Sequence, residues 1–194
     1  MAVPERMAHL AQKIAENAGD IDEEGIRKLI GELKRARRIF LCGAGRSGFV
    51  AKAFAMRLMH LGFTVYVVGE SITPAISGRD LLVAVTGSGE TESVVGIAQA
   101  AKRMGARVTS VTSNRKSAIG RFSDCVVVIK GRLPGMLERD YLARQLRGGH
   151  EPIAPLGTLF ELSTMVFFDS LVEELMVLNR RTEGYMKARH TQLE

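Results

Sequence analysis

The chain predicts an α/β fold, a five-stranded parallel doubly wound sheet of flavodoxin-like order with helices ahead of it. Three observations carry that expectation. From Arg38 onward, short apolar runs alternate with helix-patterned stretches. The runs are continuously apolar, as strands buried on both faces are. Two of them end in glycine- and hydroxyl-rich loops, "GAGRSG" (43–48) and "TGSGETES" (86–93), each leading into a helix pattern. At 194 residues, 46% hydrophobic and 25% charged, one domain with a real core is expected. Residues 1–36 form its helical arm, and 37–194 the α/β core with C-terminal helices.

Element by element, Met7, Leu10, Ala11 and Ile14 recur at helix spacing in a stretch that stops at Gly19. "IDEEGIRKLIGELKRA" follows with acids first and bases last, as the helix macrodipole favours. Strands are predicted in "RIFLCG", "TVYVVG", "DLLVAVTG", "RVTSVTS" and "DCVVVIKG". "SGFVAKAFAMRLMHLG" and "TESVVGIAQAAKRMGA" supply crossover helices, and Ser117 to Phe122 a shorter connection. Right-handed crossovers then favour the strand order 2-1-3-4-5. In that order the loops after strands one and three flank one crevice. An irregular charged segment at 131–152 and a long apolar helix from near Pro155 complete the chain.

Several classes of function are excluded at this level. The most apolar stretch, "LSTMVFFDSLVEELMVL", carries Asp169, Glu173 and Glu174, so no membrane span is expected. The N-terminus lacks the pattern of a signal peptide, and a cytoplasmic protein is expected. The net charge of +6 owes much to Lys34–Arg38 at a helix end. Stacking aromatics are few and Trp is absent, which argues against a nucleic-acid partner. Cys42 and Cys125 lie in separate apolar runs and read as buried thiols.

The chemistry sits in the two loops. Gly43, Gly45 and Gly48 spell G-x-G-x-x-G, and Glu70 stands where a dinucleotide fold keeps its ribose-binding acid. The second loop argues for a smaller anion. It gathers the Thr86, Ser88, Thr91 and Ser93 hydroxyls, with glycines between them, at a helix start. A helix N-cap alone needs one hydroxyl. Each charge-assisted hydrogen bond to a phosphate there contributes roughly 1.5–3 kcal/mol. In the first loop, Ser47 adds a hydroxyl and Arg46 a cation, and the chain is short for a dehydrogenase.

"GAGRSGFVAKAFAMRLMHLG", "TGSGETESV" and "APLGTLFELSTMVFFDSLV" together resemble the sugar isomerase (SIS) domain. The G-T-L-F-E segment and the R-L-M-H-L-G helix end resemble, more narrowly, the 3-hexulose-6-phosphate isomerases of the ribulose monophosphate pathway. That resemblance implies interconversion of D-arabino-hex-3-ulose 6-phosphate and D-fructose 6-phosphate, with neither metal nor cofactor. It implies that Ser47 and the loop Gly87, Ser88, Gly89, Glu90, Thr91 and Glu92 bind substrate, and that Glu161 accepts the proton.

The residues suit such an assignment. Moving a carbonyl between adjacent carbons requires a proton to leave one and return to the other through an enediol, work one carboxylate can do. Glu161 stands among Leu159, Phe160, Leu162 and Met165, where desolvation makes a stronger base. A competing reading makes Thr158-Leu-Phe-Glu161 a capping box. His60 either caps carbonyls or lines a neighbouring subunit's site. His190, in "KARH", either assists proton transfer and ring opening or is a solvated tail residue. Arg46 either balances the enediolate or makes a surface pair. A non-catalytic sugar-phosphate sensor is the second class of function, although the N-terminal helices lack a basic recognition face. The apolar circumference of the last long helix predicts self-association, and a homotetramer is what the resemblance implies.

Overall fold

Side-chain alternation along each apolar run decides how the sheet is covered. The computed structural model describes residues 3–131 and 157–191. Strands β1 (Ile39–Gly43), β2 (Val65–Val67), β3 (Leu81–Val85), β4 (Arg107–Thr112) and β5 (Cys125–Val128) form one parallel sheet. Their order, β2-β1-β3-β4-β5, is the one the sequence predicts. Ile39 and Leu41 join one core, while Phe40 and Cys42 join the other. Leu81, Val83 and Val85 likewise part from Leu82 and Ala84.

Helices cover both faces. α1 (Val3–Ala18) and α2 (Glu23–Arg35) precede the sheet, and α3 (Gly45–His60) and α4 (Glu92–Arg103) are crossovers. α5 (Thr158–Leu178) and the short α6 (Glu183–Lys187) follow it. Leu29 and Leu33 of α2, Phe54 and Leu58 of α3, and Phe168, Leu171 and Leu175 of α5 fill the first core. The Phe54 and Phe168 rings stack with centroids 4.0 Å apart. Val94, Ala98 and Ala101 of α4 fill the second. Each such Leu or Phe contributes roughly 1.5–3 kcal/mol when fully buried.

Three features differ from the sequence expectation. First, most apolar positions of α5, including Leu159, Phe160, Phe167, Phe168, Leu171, Val172 and Leu175, are buried within this chain. Leu162, Met165 and Met176 are half-buried and Val166 is exposed, because α3 and α1 both pack on this helix. Second, α6 escapes a periodicity search because it is only five residues long. The Thr182 hydroxyl starts it by accepting from the Tyr185 amide at 3.2 Å, and Arg181 and Arg189 lie over the Tyr185 ring. Third, α5 is helical from Thr158; Pro155 and all but Gly131 of the charged segment lie outside the described residues.

Other expectations hold. Cys42 and Cys125 are free, buried thiols, and burial pushes Cys42 up to about 12. Among the described residues, no helix is long and apolar enough to cross a membrane.

Candidate active site

β1 and β3 are neighbours, with Gly43 in register with Val85, so the two glycine loops leave the sheet about 4.8 Å apart. Ala44 caps α3 and Thr91 caps α4, neither with a side-chain cap bond. The first amides of both helices, those of Gly45, Arg46 and Ser47 and of Glu92, Ser93 and Val94, therefore lack intrahelical acceptors. Two helix N-termini converge on one crevice, the arrangement that binds a phosphate dianion.

The second loop is built largely by its own side chains. The Thr86 hydroxyl accepts from the Gly89 amide at 3.2 Å and pairs with the Thr91 hydroxyl at 3.2 Å. The Ser88 hydroxyl accepts from the Glu90 amide at 3.2 Å. Gly89 has φ +73°, and a Cβ there would lie 2.1 Å from the Ser117 hydroxyl, so only glycine fits. The turn after β4 braces the loop: Ser113 N–H donates to the Gly87 carbonyl at 2.9 Å, and Ile119 N–H to that of Gly89 at 3.1 Å. Sequence reading passed over this brace; its signal is the polar run "TSNRKS" at 112–117.

Two loop residues differ in placement from the expected cradle. Thr86 is buried, and the Glu90 carboxylate accepts from the Ala118 amide at 2.9 Å. A carboxylate beside bound phosphate would repel it; here it is drawn into the brace instead. Ser88 and Ser93 are exposed, and Ser47 and Thr91 half-buried, which leaves these four hydroxyls for a ligand. Glu92 is exposed in the first turn of α4, where the macrodipole favours an acid.

α5 brings the candidate base to this crevice. The Phe160 ring packs on Gly87, where a Cβ would come within 3.1 Å of it. The next residue, Glu161, is 13% exposed and accepts a hydrogen bond from Arg46 Nε–H. The capping-box expectation fails at its first residue. Gly157, not Thr158, is the N-cap, and it makes no side-chain cap bond; the Glu161 amide donates to the Gly157 carbonyl at 3.0 Å. The Glu161 carboxylate is thus committed to the crevice rather than to the helix start.

His60 and His190 come together, but not here. Their rings stack with centroids 5.2 Å apart at the far end of α3, about 20 Å along the helix axis from Ser47. A cavity of about 1010 Å³ opens there, lined also by Arg57, Asp169, Glu173 and Lys187. Burial first, then the charges of His190 and Arg57, hold His60 below the usual histidine range. Within one chain neither histidine reaches Glu161. Glu70 pairs with Lys52 at 2.7 Å, which removes the ribose-binding acid that the dinucleotide reading requires.

Known proteins share this arrangement. A family model described as SIS domain matches residues 32–132. The chain is 51% identical over 174 residues to an uncharacterized protein of Archaeoglobus fulgidus, covering 90% of each. It is 36% identical over 194 residues to the 3-hexulose-6-phosphate isomerase of Bacillus subtilis, covering 100% of both. A solved Methanococcus jannaschii protein, whose structure infers a molecular function of 3-hexulose-6-phosphate isomerase, matches with a TM-score of 0.80. It is 30% identical, with 98% of this chain and 99% of that one covered.

Proposed function

We propose that this chain, which belongs to the SIS domain family and is a phosphosugar isomerase, interconverts D-arabino-hex-3-ulose 6-phosphate and D-fructose 6-phosphate. Family membership and the named relatives carry the general class. The sugar pair and the roles of individual residues are the proposal. One observation supports it above the rest: the Glu161 carboxylate stands at the mouth of a crevice made from two helix N-termini and the Ser47, Ser88, Thr91 and Ser93 hydroxyls.

In this reading the crevice holds the phosphate and the open sugar chain extends toward Glu161. Glu161 takes the proton from carbon 3 of the fructose phosphate. The electron pair of that bond forms a double bond between carbons 2 and 3, and the carbonyl oxygen on carbon 2 gains a proton. Glu161 then returns its proton to carbon 2 while the hydroxyl on carbon 3 loses its own and becomes the carbonyl. No external oxidant or reductant enters, so the route requires no cofactor. A positioned general base contributes roughly 10²–10⁴-fold. The proposal includes a homotetramer in which the His60–His190 end of one chain serves the crevice of a neighbour.

Incubation with fructose 6-phosphate in deuterated water tests the reading. Deuterium should appear at carbon 3, together with the hex-3-ulose product. Tight binding of the sugar phosphate without any exchange would place the chain among non-catalytic sugar-phosphate sensors instead.

A further inference from the structure

We infer that Arg46 is a latch on Glu161, held by that carboxylate in the empty crevice and drawn away when the phosphate of the substrate takes its guanidinium. The inference rests on the isomerase reading above and adds a role for phosphate beyond affinity.

Arg46 lies in the first turn of α3, one residue before Ser47, where the positive end of the macrodipole disfavours a cation. A cation in such a place needs an anion, and among the described residues the one it hydrogen-bonds is Glu161. The carboxylate therefore stands in for the missing phosphate. The bond uses only Nε–H of the five guanidinium donors. The remaining donors have no protein partner among the described residues, and the side chain is 59% exposed. Bidentate capture by phosphate is geometrically open to this guanidinium and stronger than a single contact. The expected cradle, at Ser47 and across the register from Val85 at Ser88, lies beside it.

A carboxylate whose Oε2 accepts a guanidinium hydrogen bond is a poor acceptor for a carbon-bound proton. Drawing Arg46 away frees that oxygen in the complex alone. Phosphate is thereby read twice, first as binding and then as release of the base. An unphosphorylated ketose would lack both.

The test divides the substrate into two pieces: D-fructose, with or without added phosphite dianion. Deuterium exchange at carbon 3 is measured for the wild-type protein and for Arg46→Gln. For the wild type, phosphite should raise exchange roughly tenfold or more. Arg46→Gln should raise the phosphite-free exchange above the wild-type value and reduce the phosphite effect to about twofold or less. If Arg46→Gln fails to raise phosphite-free exchange, or lowers it, Arg46 merely orients the carboxylate and the latch is overturned. Undiminished phosphite activation in the variant overturns it as well.

A second readout is independent of turnover. The Arg46 Nε–H proton resonance, assigned by its loss in Arg46→Gln, should move on titration with inorganic phosphate. In Glu161→Gln it should already be displaced before phosphate is added. A resonance indifferent to phosphate sinks the latch. Absence of exchange on fructose 6-phosphate itself would instead sink the isomerase reading, and the resonance would still report on the latch.

Discussion

Glu161 separates two jobs that a carboxylate near a helix start can have. With Gly157 as the cap and Arg46 as the hydrogen-bond donor, loss of its charge should spare the helix. Glu161→Gln is therefore expected to lower solvent-proton exchange by roughly 10²-fold or more while thermal melting stays close to wild type. A capping role would reverse the pattern, with about 1 kcal/mol lost and turnover kept. In the loop opposite, Ser88→Ala should raise the Michaelis constant for phosphorylated sugar with little change in melting, since the hydroxyl is exposed. Gly89→Ala should be far worse. Its Cβ would meet the Ser117 hydroxyl at 2.1 Å in a left-handed conformation, so both folding and phosphate binding should suffer in calorimetry.

Between elements, a few buried polar contacts hold the crevice walls in place. Asn17 of α1 donates to the Ser163 hydroxyl of α5 at 2.9 Å and to the Lys130 carbonyl at 2.6 Å. Asn17→Ala leaves both acceptors without this donor and should cost roughly 1–3 kcal/mol in urea denaturation. At the other end of the sheet, Arg38 and Asp80 precede β1 and β3 and tie those strands together at 3.0 and 2.6 Å. Burial pushes the Asp80 carboxyl up, but hydrogen bonds from Arg38 and Ser77 outweigh it and leave the group below its usual 3.8. A carboxyl depressed in the folded state stabilises above its unfolded value and loses that contribution as pH falls through the folded one. Acid denaturation should therefore draw on Asp80 below about pH 4, and Asp80→Asn should flatten that limb while lowering stability at neutral pH.

For the whole molecule, the exposed apolar surface lies elsewhere than the sequence suggested. α5 is largely covered within the chain, whereas α3 exposes Phe49 (69%), Met56 (46%) and Met59 (42%) along its length. Apolar side chains grouped in this way mark an interface, and α1 adds Met7. Light scattering at micromolar concentration should report a mass well above one chain, and Met56→Lys should reduce it. Chains carrying Glu161→Gln and chains carrying His190→Ala, each inactive alone, should recover activity when mixed if a site draws on two subunits. A fully active monomer would refute the shared site.

What the sequence determined by itself was everything that depends on local period and local chemistry. Continuous apolar runs and 3.6-residue patterns placed five strands and five of the six helices, and chirality then left one strand order. The open helix starts at Ala44 and Thr91 were legible because glycine and hydroxyl residues cluster there. What only the tertiary structure decided was partnership. "T-x-x-E" has the same spacing whether or not Thr158 caps the helix, and only the packing of Phe160 on Gly87 turns Glu161 toward Arg46. Glu90 and Glu92 look alike in the loop, yet the Ala118 amide, 28 residues from Glu90, claims the first. His60 and His190 are 130 residues apart and meet because α6 folds back on the end of α3. Spacing along the chain encodes which face a side chain takes; which distant group it meets there is set by how the faces pack.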